Sequence, residues 1–268
     1  MQRSKHLVHP RKSANGLVHR ITPKSAGWTY VGFEARDLKA GARVRVKSGA
    51  METCVVVMSG KARVKSNGFD SGTIGGRANV FEAPPWSVYL PADSAYTIQA
   101  VTDCEVAICT APGKAGRPAR VIAPAEVETL TRGKGSNTRY IRNILPETAA
   151  ADSLLVVEAI TPGGNWSSYP PHKHDRDAIP EESYLEETYY HRISPPQGFA
   201  LQRLYTADRS LDETLAVSDR DVVLVPRGYH PVGAPHGYDL YYLNVMAGPK
   251  RRWIFRNDPA HDWIARGK

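Results

Sequence analysis

At 268 residues, 41% of them hydrophobic, the chain is long enough for one large β domain or two small ones and apolar enough to bury a core, which excludes a disordered protein. Its formal charge of +8 allows an anionic partner, but beyond the first twenty residues Lys and Arg are scattered along strand-like runs. No basic arm or recognition helix marks a nucleic-acid binder, and a small acidic ligand needs only one or two arginines in a pocket.

No apolar run reaches the roughly 18 residues of a membrane helix, and Met-Gln-Arg-Ser-Lys-His leads into no apolar signal core, so a cytoplasmic location without a membrane partner is expected. Residues 1–25 are basic, poor in apolar side chains, and read as an irregular lead-in. From Thr29 onward, short apolar runs alternate with Gly, Pro, Asp and Ser turns about every ten residues, as in Ala42 to Val46, Thr53 to Met58, Ser87 to Leu90, Tyr96 to Val101 and Glu105 to Cys109. That rhythm predicts an all-β sandwich or barrel over residues 26–122. Cys54, Cys104 and Cys109 are odd in number and sit in apolar runs, which reads as buried free thiols.

Gly- and Pro-rich segments at Ala111 to Val121 and Thr131 to Thr138 interrupt the pattern, and residues 123–138 read as a linker with a short helical turn started by Pro124. A second β series fills residues 139–268, closing on Trp253-Ile254-Phe255 and Trp263 as a tail that packs back. The two series resemble each other. Glu52 to Gly60 sits where the Glu187 run sits in the second, and Ser87 to Tyr96 parallels Val222 to His230, with Tyr96 near the place of a histidine. The first copy has no His-x-His, so a β frame of this kind folds without those imidazoles.

The chemistry concentrates between Tyr169 and Met246. His172 and His174 flank Lys173, and alternate strand residues share a face, so both imidazoles can reach one ion. Glu187, Tyr189 and His191 share a face by the same rule. His172, His174, Glu187 and His230 make a three-nitrogen, one-oxygen set suited to zinc, manganese, iron or nickel, with Glu186 the alternative carboxylate.

His-x-His, a carboxylate and Pro-x-Gly with a nearby His, on two tandem β series, resemble the bicupins. The spacing is looser than the usual cupin pattern: seven residues separate Gly164 from His172 and twelve separate His174 from Glu187. Ser168 to Asp175, Leu185 to Arg192, Pro196 to Tyr205, Pro226 to Pro231 and Gly237 to Gly248 resemble more narrowly the 5-deoxy-glucuronate isomerase family of myo-inositol catabolism, related to the 5-keto-4-deoxyuronate isomerases. That resemblance implies a bicupin whose C-terminal half binds a divalent metal, zinc first, and an aldose to ketose isomerisation of 5-deoxy-D-glucuronate to 5-dehydro-2-deoxy-D-gluconate.

Such a reaction needs a base near the carbon beside the carbonyl, and Glu186, His191 and Tyr241 are candidates that the sequence does not rank. Arg203 and Arg227 are the expected carboxylate binders, with Tyr189, Gln202 and Tyr229 as further substrate contacts; the crowd of tyrosines in this half suits a polyhydroxy acid. The expected partner is a small acidic sugar, and self-association into a homo-oligomer is allowed. Two other readings stay open: an iron-dependent cupin dioxygenase, and a sugar-binding cupin without catalysis.

Overall fold

The computed structural model describes residues 4–266 apart from Lys12 and Ala14, and their secondary structure is almost entirely β. Two compact units are present, one built from Met1–His9, Thr129–Ile141 and Glu158–Lys268, the other from Pro10–Glu128 and Arg142–Val157. Among the described residues no helix is long and apolar enough to cross a membrane.

In the Pro10–Glu128 unit, a six-stranded sheet runs in the order Arg120–Ile122, Ser87–Leu90, Met51–Ser59, Cys104–Pro112, Gly32–Leu38, Leu17–Ile21. A second sheet orders Arg43–Lys47, Ala95–Ala100, Lys61–Ser66 and Phe69–Asp70. Val55, Val57, Val88 and Leu90 of the first sheet pack with Val64, Tyr96 and Ile98 of the second in one apolar core. The alternation of these strands places their apolar side chains between the sheets, where burial contributes about 25 cal/mol per Å². Cys54, Cys104 and Cys109 are free and buried, as the sequence predicts.

The other unit repeats the plan. Val222–Val225, Glu186–Ser194, Asp239–Ala247 and Leu155–Thr161 lie side by side in that order within a seven-stranded sheet. A four-stranded sheet orders Trp166–Ser167, Val232–Gly233, Phe199–Tyr205 and Asp212–Ser218. The strand orders match those of the first unit, so the internal repeat read from sequence is a repeat of topology.

Register refines that reading. Thr53 pairs with Leu90 and Thr110, whereas Glu187 pairs with Val225 and Met246, and Leu90 and Val225 each precede a proline. Thr53 therefore holds the place of Glu187, and Glu52 the place of Glu186. Glu52 is wholly buried and structural: it accepts backbone N–H bonds from Asp152 (2.8 Å), Ser153 (2.6 Å) and Leu154 (2.6 Å) and the Tyr89 hydroxyl (2.7 Å).

The expected boundaries need correction in three places. Within the irregular lead-in lie two strands: Leu7–Val8 pairs with Val222–Val223 and Leu17–Ile21 with Gly32–Leu38. Within the linker the expected short helical turn is present as the 3₁₀ turn Pro124–Glu126, with proline at its first position, but a strand, Glu128–Arg132, follows it. Residues 142–157 group with the Pro10–Glu128 unit, held there by Glu52 and by the Arg142 guanidinium, which donates to the carbonyls of Val80, Glu82 and Ala83. Edge pairing uses backbone groups, so polar side chains did not betray these strands.

Candidate metal centre

On the Glu186–Ser194 strand, side chains alternate between the two faces of the sheet. Glu187, Tyr189 and His191 point between the sheets of their unit, where His191 meets Gln202 from the Phe199–Tyr205 strand. His174 follows the two-residue strand His172–Lys173 and is clamped to Leu185, whose N–H donates to the His174 carbonyl at 2.9 Å.

His230 is carried by a tight turn. Gly228 has φ of +86°, and a Cβ there would lie 2.4 Å from the Tyr205 carbonyl oxygen, so only glycine fits. Its N–H donates to Asp175 at 2.8 Å, and Asp175 is ion-paired to Lys173, the residue between the two histidines.

These elements bring His174, Glu187 and His230 to one point. Their three ligand atoms lie within 4.8 Å of one another, and all three side chains are buried. His174 Nε2 and His230 Nε2 stand 3.1 Å and 3.3 Å from the same Glu187 oxygen, Oε2. Donors about 2.0–2.2 Å from a common ion at tetrahedral or octahedral angles are about 3.0–3.5 Å apart, so the spacing fits a divalent cation.

Hydrogen bonds fix the tautomers as metal binding requires. His174 Nδ1 faces the Leu185 carbonyl at 3.0 Å and His230 Nδ1 the Gly228 carbonyl at 2.9 Å. A carbonyl only accepts, so each Nδ1 carries the hydrogen and each Nε2 presents its lone pair to the centre. His230 Nε2 is buried without a hydrogen-bond partner. Burial, aided by the nearby His174, pushes His230 down to about 4; burial lowers His174 too, but the Glu187 hydrogen bond and charge outweigh it and leave a net upward shift.

His172 stands beside this group. Its ring lies 5.0 Å from that of His230, 6.4 Å from that of His174 and 4.6 Å from that of Phe255. Burial first, then His230 and His174, hold its proton affinity well below the usual range. The structure therefore gathers three of the four predicted ligands, and the fourth, His172, stands beside them with its ring against Phe255 of the returning C-terminal tail.

Behind the trio lies a row of aromatic rings. Tyr189 is 5.8 Å from His230 and stacks at 5.8 Å on His191, while Tyr242 sits 4.8 Å from Tyr189 and 6.1 Å from His191. The Tyr189 hydroxyl bonds Ser168 at 2.8 Å and the Tyr242 hydroxyl bonds Ser167. Burial raises both phenols above their ordinary range, so they stay protonated. Tyr242 and Ser167 were absent from the predicted set, although Tyr242 is marked by parity, since it pairs with His191 across the sheet.

The other predicted residues divide sharply. Gln202 is wholly buried, and its Oε1 accepts from His191 Nε2 at 3.0 Å. That leaves His191 Nδ1 and Gln202 Nε2 buried without partners. Glu186 precedes Glu187 and so projects from the opposite face of the strand; Tyr241, one residue from Tyr242, does likewise and donates to Glu158 at 2.8 Å. Of the three base candidates, only His191 therefore shares the face of Glu187.

Arg203 faces away from Gln202 and forks onto Asp212 with two 2.8 Å bonds. Arg227 is exposed and reaches Ser210 at 3.3 Å. Tyr229 packs its ring 5.0 Å from Tyr205. For Arg203 the correction follows from strand parity, because Gln202 and its neighbour cannot both point inward.

The model of the KduI/IolB family matches residues 6–264. The chain belongs to the KduI/IolB family. Similar curated proteins within this breadth include the 5-deoxy-glucuronate isomerase of Geobacillus kaustophilus, 57% identical over 98% of this chain and 96% of that protein, and that of Bacillus subtilis strain 168, 51% identical over 92% of each. An IolB-like protein from Salmonella typhimurium, known from a crystal structure, superposes with a TM-score of 0.95 at 51% identity, covering 97% of this chain and 98% of that one. The oxalate decarboxylase of Lactobacillus farciminis aligns with a TM-score of 0.67 at 14% identity over 97% of this chain and 88% of its own, and shares the fold.

The KduI/IolB chain should lose stability on acidification in a way traceable to His191. Burial pushes that imidazole down to about 4, against about 6.5 when unfolded. Below about pH 6.5 the unfolded chain takes up a proton that the folded chain refuses, so this contribution is full at neutral pH and falls toward pH 4, by up to about 3 kcal/mol. Urea unfolding of chelator-treated protein at a series of pH values checks it; a His191→Phe variant with the same acid loss would remove histidine as the cause.

Proposed function

We propose that this KduI/IolB-family chain is a metal-dependent 5-deoxy-glucuronate isomerase, converting 5-deoxy-D-glucuronate to 5-dehydro-2-deoxy-D-gluconate. The substrate assignment is supported by relatives of that name at 49–58% identity over most of their length. The observation that carries the chemistry is the buried His174, Glu187 and His230 group with its orphaned His230 nitrogen.

Zinc suits that mixed nitrogen and oxygen set best, with manganese, iron or nickel as alternatives, and His172, its ring 5.0 Å from that of His230, would serve as a fourth ligand. The ion, when bound, would act as a Lewis acid that polarises the substrate carbonyl and neighbouring hydroxyl.

The chain's own residues supply the proton traffic. The hydrogen on C2 must leave and one must arrive at C1, while the C2 hydroxyl proton passes to the C1 oxygen. His191 is the base in this reading: its Nε2–H is tied to Gln202, which leaves the Nδ1 lone pair free for a substrate C–H. Burial holds its proton affinity low beforehand, and negative charge growing on the substrate raises it as the proton moves. Tyr189 and Tyr242 act as hydroxyl donors that orient the sugar, and Gln202 Nε2 offers a further hydrogen to it.

Proton NMR of 5-deoxy-D-glucuronate with metal-loaded protein under anaerobic conditions tests the reading. The hemiacetal signals should decay as ketose signals grow; no decay, or decay only with oxygen, would discard it. Arg203→Ala should leave KM for the acid within about twofold and stability within about 1 kcal/mol, because the residue is spent on a surface pair with Asp212. A rise in KM of tenfold or more would restore it to the pocket.

A further inference from the structure

With Arg203 and Arg227 outside the wall, another cation must meet the acid group of the substrate. We infer that Arg139, seconded by Arg132, is the carboxylate receptor of this site. The inference deepens the isomerase reading and, for its substrate class, rests on it.

Arg139 opens the Arg139–Leu145 strand and is half-buried, as is Arg132. Its guanidinium is fixed by the preceding loop: Nη1 donates to the Asn137 carbonyl at 3.0 Å. Gly133, with φ of +76°, brings that loop so close that a Cβ there would lie 2.8 Å from Arg139 Nη1 and 2.1 Å from the Asn137 oxygen. The loop is in turn held against the wall of the site. Asn165 donates to the Thr138 carbonyl at 2.9 Å, and two residues on, Ser167 bonds Tyr242.

The charge of Arg139 reaches the wall. It opposes the burial that raises Tyr242. Burial lowers the Arg139 guanidinium itself; the nearby Arg132 adds to that, and the phenols Tyr242 and Tyr189 oppose it. Arg132 lies 5.8 Å from the Trp253 ring. Among the described residues neither arginine has a carboxylate within ion-pair distance, whereas Arg63, Arg117, Arg192 and Arg203 each do.

Two neighbouring half-buried cations without a counter-ion are costly to a folded protein. A carboxylate removes that cost and matches the planar fork of a guanidinium with two parallel hydrogen bonds. In this inference the metal trio takes the carbonyl and hydroxyl oxygens of the substrate and the arginine pair takes its acid group.

Calorimetric binding to metal-loaded protein separates the possibilities, using D-glucuronate as the acid and D-glucuronamide as its neutral counterpart. The native chain should bind the acid more tightly. Arg139→Gln should lose roughly 10- to 100-fold in affinity for the acid and almost nothing for the amide. Arg139→Lys keeps the charge, loses the fork and should fall between. With 5-deoxy-D-glucuronate, KM of Arg139→Gln should rise by the same factor with kcat within a few-fold.

Equal loss for acid and amide, or no loss for either, overturns the inference, as does a native chain that does not prefer the acid. Should Arg139→Gln not fold, Arg139→Lys and Arg132→Gln carry the same comparison. Selective acid binding through Arg139 without turnover of 5-deoxy-D-glucuronate would instead sink the isomerase reading and leave the receptor standing.

Discussion

Glu187→Ala is expected to lower turnover of 5-deoxy-D-glucuronate by about 1,000-fold or more and to release the divalent ion. Glu187 Oε2 is the atom common to both short contacts in the trio, 3.1 Å from His174 and 3.3 Å from His230. Without it, two imidazoles and the neighbouring His172 face one another with no anionic donor, and a divalent cation would be held by neutral nitrogens alone. Lewis-acid stabilisation is worth several kcal/mol of barrier, and each 1.36 kcal/mol is tenfold in rate. The fold should survive, because Thr53 occupies the matching place in the other repeat. Metal content per chain, NMR turnover and circular dichroism check the three parts; a variant that keeps both its ion and a tenth of its activity would remove Glu187 from the ligand set.

His191→Gln should retain the ion yet lose about 100- to 10,000-fold in kcat, the usual range for a general base. The imidazole lies one ring behind the trio, stacked on Tyr189, and its free nitrogen is the only unpartnered lone pair among the three base candidates once Glu186 and Tyr241 are seen to face the other way. A merely structural histidine would weaken folding without touching proton exchange. Solvent deuterium is therefore the telling readout: the native enzyme should introduce it at the carbon that receives the proton, and the variant should do so more slowly, by the factor lost from kcat. Undiminished incorporation would assign the base elsewhere.

Much of this was legible before any coordinates. Period-two alternation located Met51–Ser59, Glu186–Ser194 and Asp239–Ala247, and the same parity put Glu187, Tyr189 and His191 on one face. Parity also separates Gln202 from Arg203, a signal present in the sequence but overridden by the expectation that an arginine near the site must bind the acid. Other features need pairing partners that a single sequence does not display. Only register reveals Thr53, not Glu52, as the counterpart of Glu187, and only the Leu7–Val8 ladder with Val222–Val223 turns a basic lead-in into an edge strand.

Arg139 is hidden in the sequence by Gly-rich surroundings that read as a spacer, although Gly133 is what lets the loop close on the guanidinium. The position of His172 is a matter of ring orientation against Phe255, which follows from the returning tail rather than from the His-x-His spacing.

The most direct measurement is anomalous diffraction at the metal edge from crystals of the metal-replete, active protein. The expected result is one peak per chain about 2.0–2.2 Å from His174 Nε2, Glu187 Oε2 and His230 Nε2. An active protein with no peak there, or with its ion bound at another place, would contradict the account.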